Sequence, residues 1–184
     1  MKKDDSTEKR SFSIREMEIG DLGEVYALGQ SSFKAELWPM LYRSWDEYEV
    51  TTLFNTDGEY CLVAENDEDD APKGERIVGF VLGTVVSKSG SAWSYGYIIW
   101  LCSHDKWSRE GVASKLMDKI IETMVENEGI RIIMADTDPA KDGGWVTLKG
   151  VAEVPEGALE YEVACGNFAT AGQTDFDDLV VTAE

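Results

Sequence analysis

The chain of 184 residues is poor in the residues that build metal sites and disulfide frameworks, with one histidine and three cysteines. The cysteines form no closely spaced pair, and two of them, Cys61 and Cys102, lie in apolar runs where buried free thiols are common. His104 stands alone, so zinc lacks its usual ligands and a Ser-His-Asp site has no supporting neighbours. We therefore expect neither a metal site nor a serine hydrolase.

Positive charge is also scarce. Asp and Glu total 36 and Lys and Arg total 17, which gives a net charge of −19. Nucleic acids and anionic membranes attract proteins with a positive surface, so this balance argues against both as partners. It favours cationic partners such as amines, basic peptide tails or polyamines. The same excess of acid also serves solubility, so it does not identify a partner by itself.

Long apolar runs are missing as well. None reaches the roughly 18 to 20 residues of a membrane-spanning helix. The N-terminal lysines are not followed by the apolar segment of a secretory signal, so we expect a cytoplasmic protein. Hydrophobic residues make up 43% of the chain and aromatic residues 10%, which indicates a globular domain with a real core.

The apolar pattern predicts a mixed sheet with few helices. Residues 1–11 are charged and polar, which is typical of a flexible tail. The predicted elements are a strand at Phe12–Met17, a helix from Asp21 to about Ser32, a helix after an N-cap at Ser44, strands at Tyr60–Glu65, Ile77–Val86 and Tyr95–Cys102, a helix at 109–129, and a strand at Ile130–Ala135. The residues that recur at helical spacing in the last helix are Val112, Ala113, Leu116, Met117, Ile120, Ile121, Met124 and Val125. Those expected to pack it on the sheet are Leu116, Met117, Ile120, Ile121 and Met124.

The pattern changes beyond Pro139. Lys141-Asp142-Gly143-Gly144 predicts a flexible joint, and three strand-like runs without helical periodicity follow within 145–184. A sheet whose last strand ends near Asp138 would expose an unpaired edge, and these runs are the nearest candidates to cover it. We expect 12–140 to form the main domain and 145–184 to be a β-rich appendage that docks on the sheet or swaps into a partner, which makes a homodimer possible.

The strand-to-helix junction at 107–114 carries the clearest chemical signal. A helix N-terminus presents unpaired N–H groups and a positive dipole end, both of which attract anions. Gly111 and Ala113 are small enough for a phosphate to approach the backbone closely. Three basic residues flank the turn: Lys106, Arg109 and Lys115. The plain alternative is an ordinary helix start at which Gly111 only eases the turn, and spacing alone leaves both interpretations open.

This junction resembles the signature Q/R-x-x-G-x-G/A of the GNAT superfamily of acyl-CoA N-acyltransferases. The resembling run is Leu101-Cys102-Ser103-His104-Asp105-Lys106-Trp107-Ser108-Arg109-Glu110-Gly111-Val112-Ala113. The order of elements from Phe12 to Asp138 also fits the family. Three further stretches are similar to one prokaryotic branch of acetyltransferases: 36–39, 42–48 and 136–140. The resemblance implies an α/β GNAT fold with a mixed sheet, and acetyl-CoA as the co-substrate.

Two departures from the family stand out. Ser108 occupies the first signature position, where the family has Gln or Arg, although Arg109 follows directly. The resemblance also stops near Ala140, where the family continues with a fourth helix, which carries a Tyr that protonates the leaving thiolate, and closing strands. Residues 145–184 are instead weakly similar to the last strands of jelly-roll carbohydrate-binding modules, so the appendage replaces the family's last helix and strands.

The resemblance assigns roles at the coenzyme site. Backbone N–H groups near the end of the fourth strand would donate to the thioester oxygen, and those of the following turn would hold the pyrophosphate. The implied cofactor-binding residues are Leu101, Cys102, Ser103, Ser108, Arg109, Glu110, Gly111, Val112, Ala113 and Ser114.

The catalytic candidates are Tyr97, on the fourth strand, and Asp136, which ends the next one. A carboxylate there fits general-base chemistry if its pKa is raised. Phe33, Trp38 and Tyr42, between the first two helices, are candidate substrate-binding residues and fit a core equally well.

Two classes of function follow. The first is an N-acetyltransferase that transfers an acetyl group from acetyl-CoA to a primary amine of a small molecule or peptide. The second is a catalytically degenerate relative whose appendage binds carbohydrate or protein. The intact Gly-x-Ala junction and its local positive charge favour the first, whereas Ser108 and the missing fourth helix favour the second.

Overall fold

The computed structural model describes residues 10–38, 43–68, 70–72, 74–87 and 94–135. The predictions for Tyr42, Asp136 and the appendage at 145–184 lie outside these residues. The strands are β1 (Phe12–Glu16), β2 (Cys61–Asn66), β3 (Ile77–Ser87), β4 (Ser94–Ser103) and β5 (Ile133–Ala135), and the α-helices are α1 (Leu22–Ser32), α2 (Glu47–Thr56) and α3 (Val112–Glu128).

The five described strands form one sheet in the order β1-β2-β3-β4-β5. Neighbours from β1 to β4 are antiparallel, and β5 pairs with β4 in parallel. A parallel pair needs a crossover, which α3 supplies. The prediction of a mixed α/β sheet is therefore confirmed, and the element order is the predicted one across the described residues.

Helices cover both faces of the sheet. One core cluster joins α1 and α2 to the sheet through Val25, Val50, Phe80 and other residues, and a second joins α3 to the opposite face. The buried side chains of α3 are Val112, Leu116, Ile120 and Met124, with Met117 partly buried beside them. Val125, which is outside the predicted packing set, is 46% exposed on the outer side of the helix.

Glycines in the sheet let α3 approach it closely. A Cβ atom at Gly83 would lie 2.8 Å from side-chain atoms of Ile120 and Met124. One at Gly79 would lie 2.5 Å from Cγ1 of Val112 and 2.9 Å from the carbonyl oxygen of Cys102. Any larger residue at these two positions would push the helix away from the strands.

The start of α2 differs from the prediction. The N-cap is Asp46, whose carboxylate accepts hydrogen bonds from the N–H groups of Tyr48 and Glu49, both at 2.9 Å. The predicted N-cap at Ser44 is wrong because the chain becomes helical two residues later, at Glu47. Aspartate and serine cap helices about equally well, so residue type alone does not decide between Ser44 and Asp46.

An ion cluster joins the start of α1 to the sheet. The side chain of Asp21 is 3% exposed and accepts hydrogen bonds from Arg15, at 2.7 Å, and Arg76, at 2.8 Å. Glu65 on β2 bonds to the same two arginines, at 2.7 and 2.9 Å. Burial of the Asp21 carboxyl by itself raises its pKa, but the hydrogen bonds from Arg15, the Glu18 N–H and Arg76 outweigh this and lower the pKa from 3.8 to about 2.

Replacing Asp21 with asparagine is expected to destabilise the protein by about 2 kcal/mol at neutral pH, because two partly buried arginines lose their shared anion. The folded pKa of Asp21 lies below the unfolded value, so its contribution is complete above about pH 4 and falls as the pH drops from 3.8 towards 2. Urea unfolding at pH 7 and pH 3 measures this, and the difference between wild type and D21N should shrink by about half at pH 3. Asp118→Asn, at an exposed position on α3, is the control; an equal loss in both variants would contradict the prediction.

Candidate functional site

The candidate site begins where β4 leaves the sheet. After Ser103 the chain makes a 3-10 turn, Asp105–Trp107, and a tight turn before α3 begins at Val112. The Trp107 side chain is 2% exposed and anchors the turn, with its ring edge-on to Phe12 at a centroid distance of 6.1 Å. Arg109 and Gly111 have φ values of 69° and 84°, so the turn uses the left-handed region twice. That region is easy for glycine and costly for other residues, which explains a glycine directly before the helix.

The turn leaves a group of backbone donors without partners. The N–H of Ser108 bonds to the carbonyl of Asp105, that of Glu110 to Trp107, and that of Lys115 to Gly111. From Trp107 to Lys115, five N–H groups have no hydrogen-bond partner among the described residues: those of Arg109, Gly111, Val112, Ala113 and Ser114. They lie at the positive end of a 17-residue helix. We call these five groups the donor cradle.

The donor cradle fits an anion in charge and in space. A Cβ atom built at Gly111 meets nothing within 4 Å, so the space beside the backbone is open. Backbone N–H groups at a helix N-terminus are a common binding site for phosphate and pyrophosphate groups. Glu110 contributes no N–H to the cradle, since its own bonds to Trp107 at 3.2 Å.

The positive charges near the turn have different environments. Lys106 forms an ion pair with Glu75, and this hydrogen bond lowers the pKa of Glu75. Lys115 places its Nζ 4.4 Å from the centre of the Phe12 ring. Arg109 is exposed and makes no ion pair with any described residue. A fourth cation, Arg10, which no sequence motif marks, donates from its Nη1 to the carbonyl of Lys106 at 2.8 Å.

A bulge in β4 decides which side chains of this strand face α1 and α2, where the candidate acceptor residues lie. Leu82 on β3 pairs with Trp100, whereas Gly83 pairs with Ile98, so Ile99 is an extra residue. Ile98 therefore packs in the α3 cluster and Trp100 in the α1 and α2 cluster, although regular alternation would place both on one face. Strand pairing with β5 is described from Gly96 to Ile98, just before this bulge.

The end of β4 lies beside the donor cradle. Leu101 and Ser103 are half-buried and Cys102 is buried. The Cys102 thiol donates a hydrogen bond to Oγ of Ser32 at 3.2 Å, and burial raises its pKa to about 11. The side chain of Cys102 therefore bonds to α1, and its backbone pairs with Phe80 on β3.

The candidate acceptor residues belong to an aromatic cluster on the α1 and α2 face. Phe33 lies 4.7 Å from Trp100 and 6.4 Å from Trp38, measured between ring centroids. Trp45 and Phe80, which the sequence argument did not select, complete the cluster. Phe33 and Trp38 are half-buried, so the cluster is partly in the core and partly accessible at the surface.

Tyr97 lies beside a charged pair that the sequence argument also missed. The guanidinium carbon of Arg43 is 6.0 Å from the centre of the Tyr97 ring. Nη1 of Arg43 bonds to Glu49 at 3.1 Å, and the other carboxylate oxygen of Glu49 accepts from Nε1 of Trp100 at 3.5 Å. The pair thus connects α2 to β4 on both sides of the bulge. No sequence motif marks it, because Arg43 and Glu49 look like ordinary surface residues of a loop and a helix.

The described residues contain neither a metal-binding cluster nor a membrane-spanning helix. No group of three or more His, Cys, Asp and Glu side chains in these residues is arranged to hold a metal ion. No helix among them has both the length and the apolar character needed to cross a membrane.

Comparison with protein families identifies the class. The model of the Acetyltransferase (GNAT) family matches residues 31–143, which is more than half of the chain. The chain therefore belongs to the GNAT acetyltransferase family. No curated protein matches it significantly.

Solved structures share the fold at low sequence identity. A NatC complex bound to Gag peptide and CoA is 17% identical, covering 71% of this chain and 77% of that chain, with a TM-score of 0.57. A transcriptional regulator from Bacillus halodurans C-125 is 18% identical, covering 78% and 99%, with a TM-score of 0.55. An aminoglycoside acetyltransferase from an uncultured soil metagenomic sample, in complex with trehalose, is 18% identical, covering 78% and 97%, with a TM-score of 0.52.

Proposed function

We propose that the protein is an N-acetyltransferase that moves an acetyl group from acetyl-CoA to a primary amine of a small molecule or peptide. The observation that carries the proposal is the donor cradle, five unpartnered N–H groups at the start of α3 in a chain of the GNAT family. The coenzyme's pyrophosphate would accept hydrogen bonds from these groups, and its acetyl end would lie towards the end of β4.

Each proposed residue has one task. Backbone N–H groups near Leu101, Cys102 and Ser103 donate to the thioester oxygen as it gains negative charge. The amine nitrogen bonds to the acetyl carbon, the carbon–sulfur bond breaks, and the amine loses a proton while the thiolate gains one. Tyr97 is proposed as a proton-transfer group for these reacting atoms. Asp136, which directly follows β5 in the sequence, is the proposed base.

The acceptor class rests on charge and on the relatives. A net charge of −19 attracts cationic amines over a long range. Among proteins of similar fold, one is bound to a peptide together with CoA and another is an aminoglycoside acetyltransferase, so both peptides and small amines are reasonable acceptors. We propose Phe33, Trp38 and Tyr42 as the surface that receives the acceptor.

Titration of acetyl-CoA into the protein by calorimetry is the first test, followed by incubation with polyamines, aminoglycosides and basic peptides. Mass spectrometry would detect the acetylated amine, and a thiol reagent would detect released CoA. Binding with an acetylated product supports the proposal. Binding without any product would favour the degenerate binding protein, and absence of binding would overturn the proposal.

Replacing Tyr97 with phenylalanine is expected to lower kcat by about 100-fold, since a proton-transfer group typically contributes at least that factor. The dissociation constant for acetyl-CoA should stay within about twofold, because the ring and its packing remain. Tyr95→Phe is the matched control, two residues away on the same strand. Equal losses of kcat in the two variants, or an unchanged pH profile in Y97F, would exclude this role for Tyr97.

A further inference from the structure

Arg10 is held in a fixed position without an acidic partner. Arg15, Arg43 and Arg76 all form ion pairs. Arg10 forms none with any described residue. Its Nη1 donates to the carbonyl of Lys106 at 2.8 Å, and its guanidinium carbon is 5.2 Å from the centre of the Trp107 ring. One of its five N–H donors is thus used to fix the side chain, and the others remain available.

A single aromatic pair carries two cations next to the donor cradle. The rings of Phe12 and Trp107 pack edge to face. Arg10 lies over Trp107, and Lys115, in the first turn of α3, lies over Phe12. Cation–π contacts of this kind hold a charge in place without neutralising it, as an ion pair would. In a chain of net charge −19, the result is a local positive surface beside the turn.

Several acidic side chains lie near this surface: Asp105 and Glu110 in the turn, Asp118 beside Lys115, and Glu75, which is already paired. Glu75 bonds to Lys106, which is the main cause of its lowered pKa, and Arg10 adds only a weaker attraction at longer range. Lys106 is therefore neutralised locally, whereas Arg10 and Lys115 are not. Ser108, between Trp107 and the cradle, has a neutral hydroxyl and supplies no charge.

We propose that Arg10, assisted by Lys115, binds the 3′-phosphate of coenzyme A and makes the protein prefer CoA to dephospho-CoA. The inference rests on the proposed function, in which the donor cradle takes the pyrophosphate. The 3′-phosphate is a monoester dianion, the most highly charged group of the coenzyme, and a guanidinium binds such a group in a forked geometry. Backbone N–H groups hold the diester phosphates of the pyrophosphate, so the two anions need different partners, and the chain provides both.

Calorimetric titration with CoA and with dephospho-CoA, which differs only in lacking the 3′-phosphate, tests the proposal. Wild type should bind CoA about 10-fold more tightly. Arg10→Gln should remove most of that preference by weakening CoA, with dephospho-CoA changed by less than about twofold. Arg10→Lys should retain part of it. Arg131→Gln is the matched control, since it removes one exposed arginine beyond the far end of α3 and should leave both affinities unchanged.

The outcomes separate this inference from the proposed function. If wild type binds neither coenzyme, the proposed function itself fails. If wild type binds both equally, or if R10Q keeps the preference for CoA, the proposed function stands and this inference is overturned. An equal loss of both coenzymes in R10Q would also overturn it, because Arg10 would then act on the pyrophosphate or on the fold. Lys115→Gln should reduce the preference as well, which supplies a second variant with an intact N-terminal segment.

Discussion

Replacing Ile120 with aspartate is expected to unfold the protein or to lower its free energy of unfolding by more than about 4 kcal/mol, since it buries a charge without a partner. Ile120 is 0% exposed, in the middle of the face that α3 packs on the sheet. The space beneath it is closed, because even a methyl group on Gly83 would meet its Cδ1 at 2.8 Å. Circular dichroism during urea and thermal unfolding measures the effect.

A control on the same helix keeps the result specific. Val125→Asp changes a residue that is 46% exposed, so it should cost less than about 1 kcal/mol. Ile120→Val removes one methylene and should cost about 1 kcal/mol, which gives a measurable value if I120D does not fold at all. Equal melting temperatures for I120D and wild type would show that α3 does not pack on the sheet through this face.

Replacing Gly111 with aspartate is expected to weaken the binding of CoA by more than about 100-fold. The new carboxylate would stand in the donor cradle, where the proposed pyrophosphate must lie, and two anions at contact distance repel strongly. Aspartate is one of the few residues that tolerates the left-handed backbone of Gly111, so the fold should persist. Titration of CoA into the variant, with a thermal melt to confirm folding, measures the loss.

Two controls separate charge from strain in this experiment. Gly111→Asn has nearly the same size without the charge, and it should bind CoA more tightly than G111D by at least about tenfold. Gly129→Asp places the same residue at the other end of α3, where φ is 61° and no atom lies within 4 Å of an added Cβ. It carries a similar backbone strain and should leave binding intact. If G111D bound CoA as wild type does, the pyrophosphate would have to lie elsewhere.

Much of the fold could be predicted because its helices are amphipathic. Leu116, Ile120 and Met124 recur at helical spacing, and each is buried as the period requires. The bulge in β4 could not be predicted in the same way. Residues 97–102 are apolar or aromatic on both faces of a central strand, so an extra residue at Ile99 leaves no break in the alternation.

The candidate site was likewise predictable where local sequence patterns mark it and unpredictable where contacts join distant residues. The turn before α3 was predictable because Gly111 directly precedes a strongly amphipathic helical pattern. The contact between Arg10 and Lys106 joins residues 96 positions apart, and no local pattern encodes such a distance. Arg43 and Glu49 were missed for a related reason, since their charge becomes informative only when α2 lies against Tyr97 and Trp100.

Gly79 lies between the two ends of the proposed coenzyme site, the donor cradle and the end of β4. A Cβ atom at Gly79 would meet both Val112, the first residue of α3, and the backbone carbonyl of Cys102, near the end of β4. Because Gly79 has no side chain, α3 packs closely on the strands at this point. This contact fixes the distance between the proposed phosphate end and the proposed acyl end of the coenzyme site. Because both ends belong to one packed unit, a coenzyme that binds there would meet two ends whose spacing is already fixed, and little binding energy would be spent on ordering them.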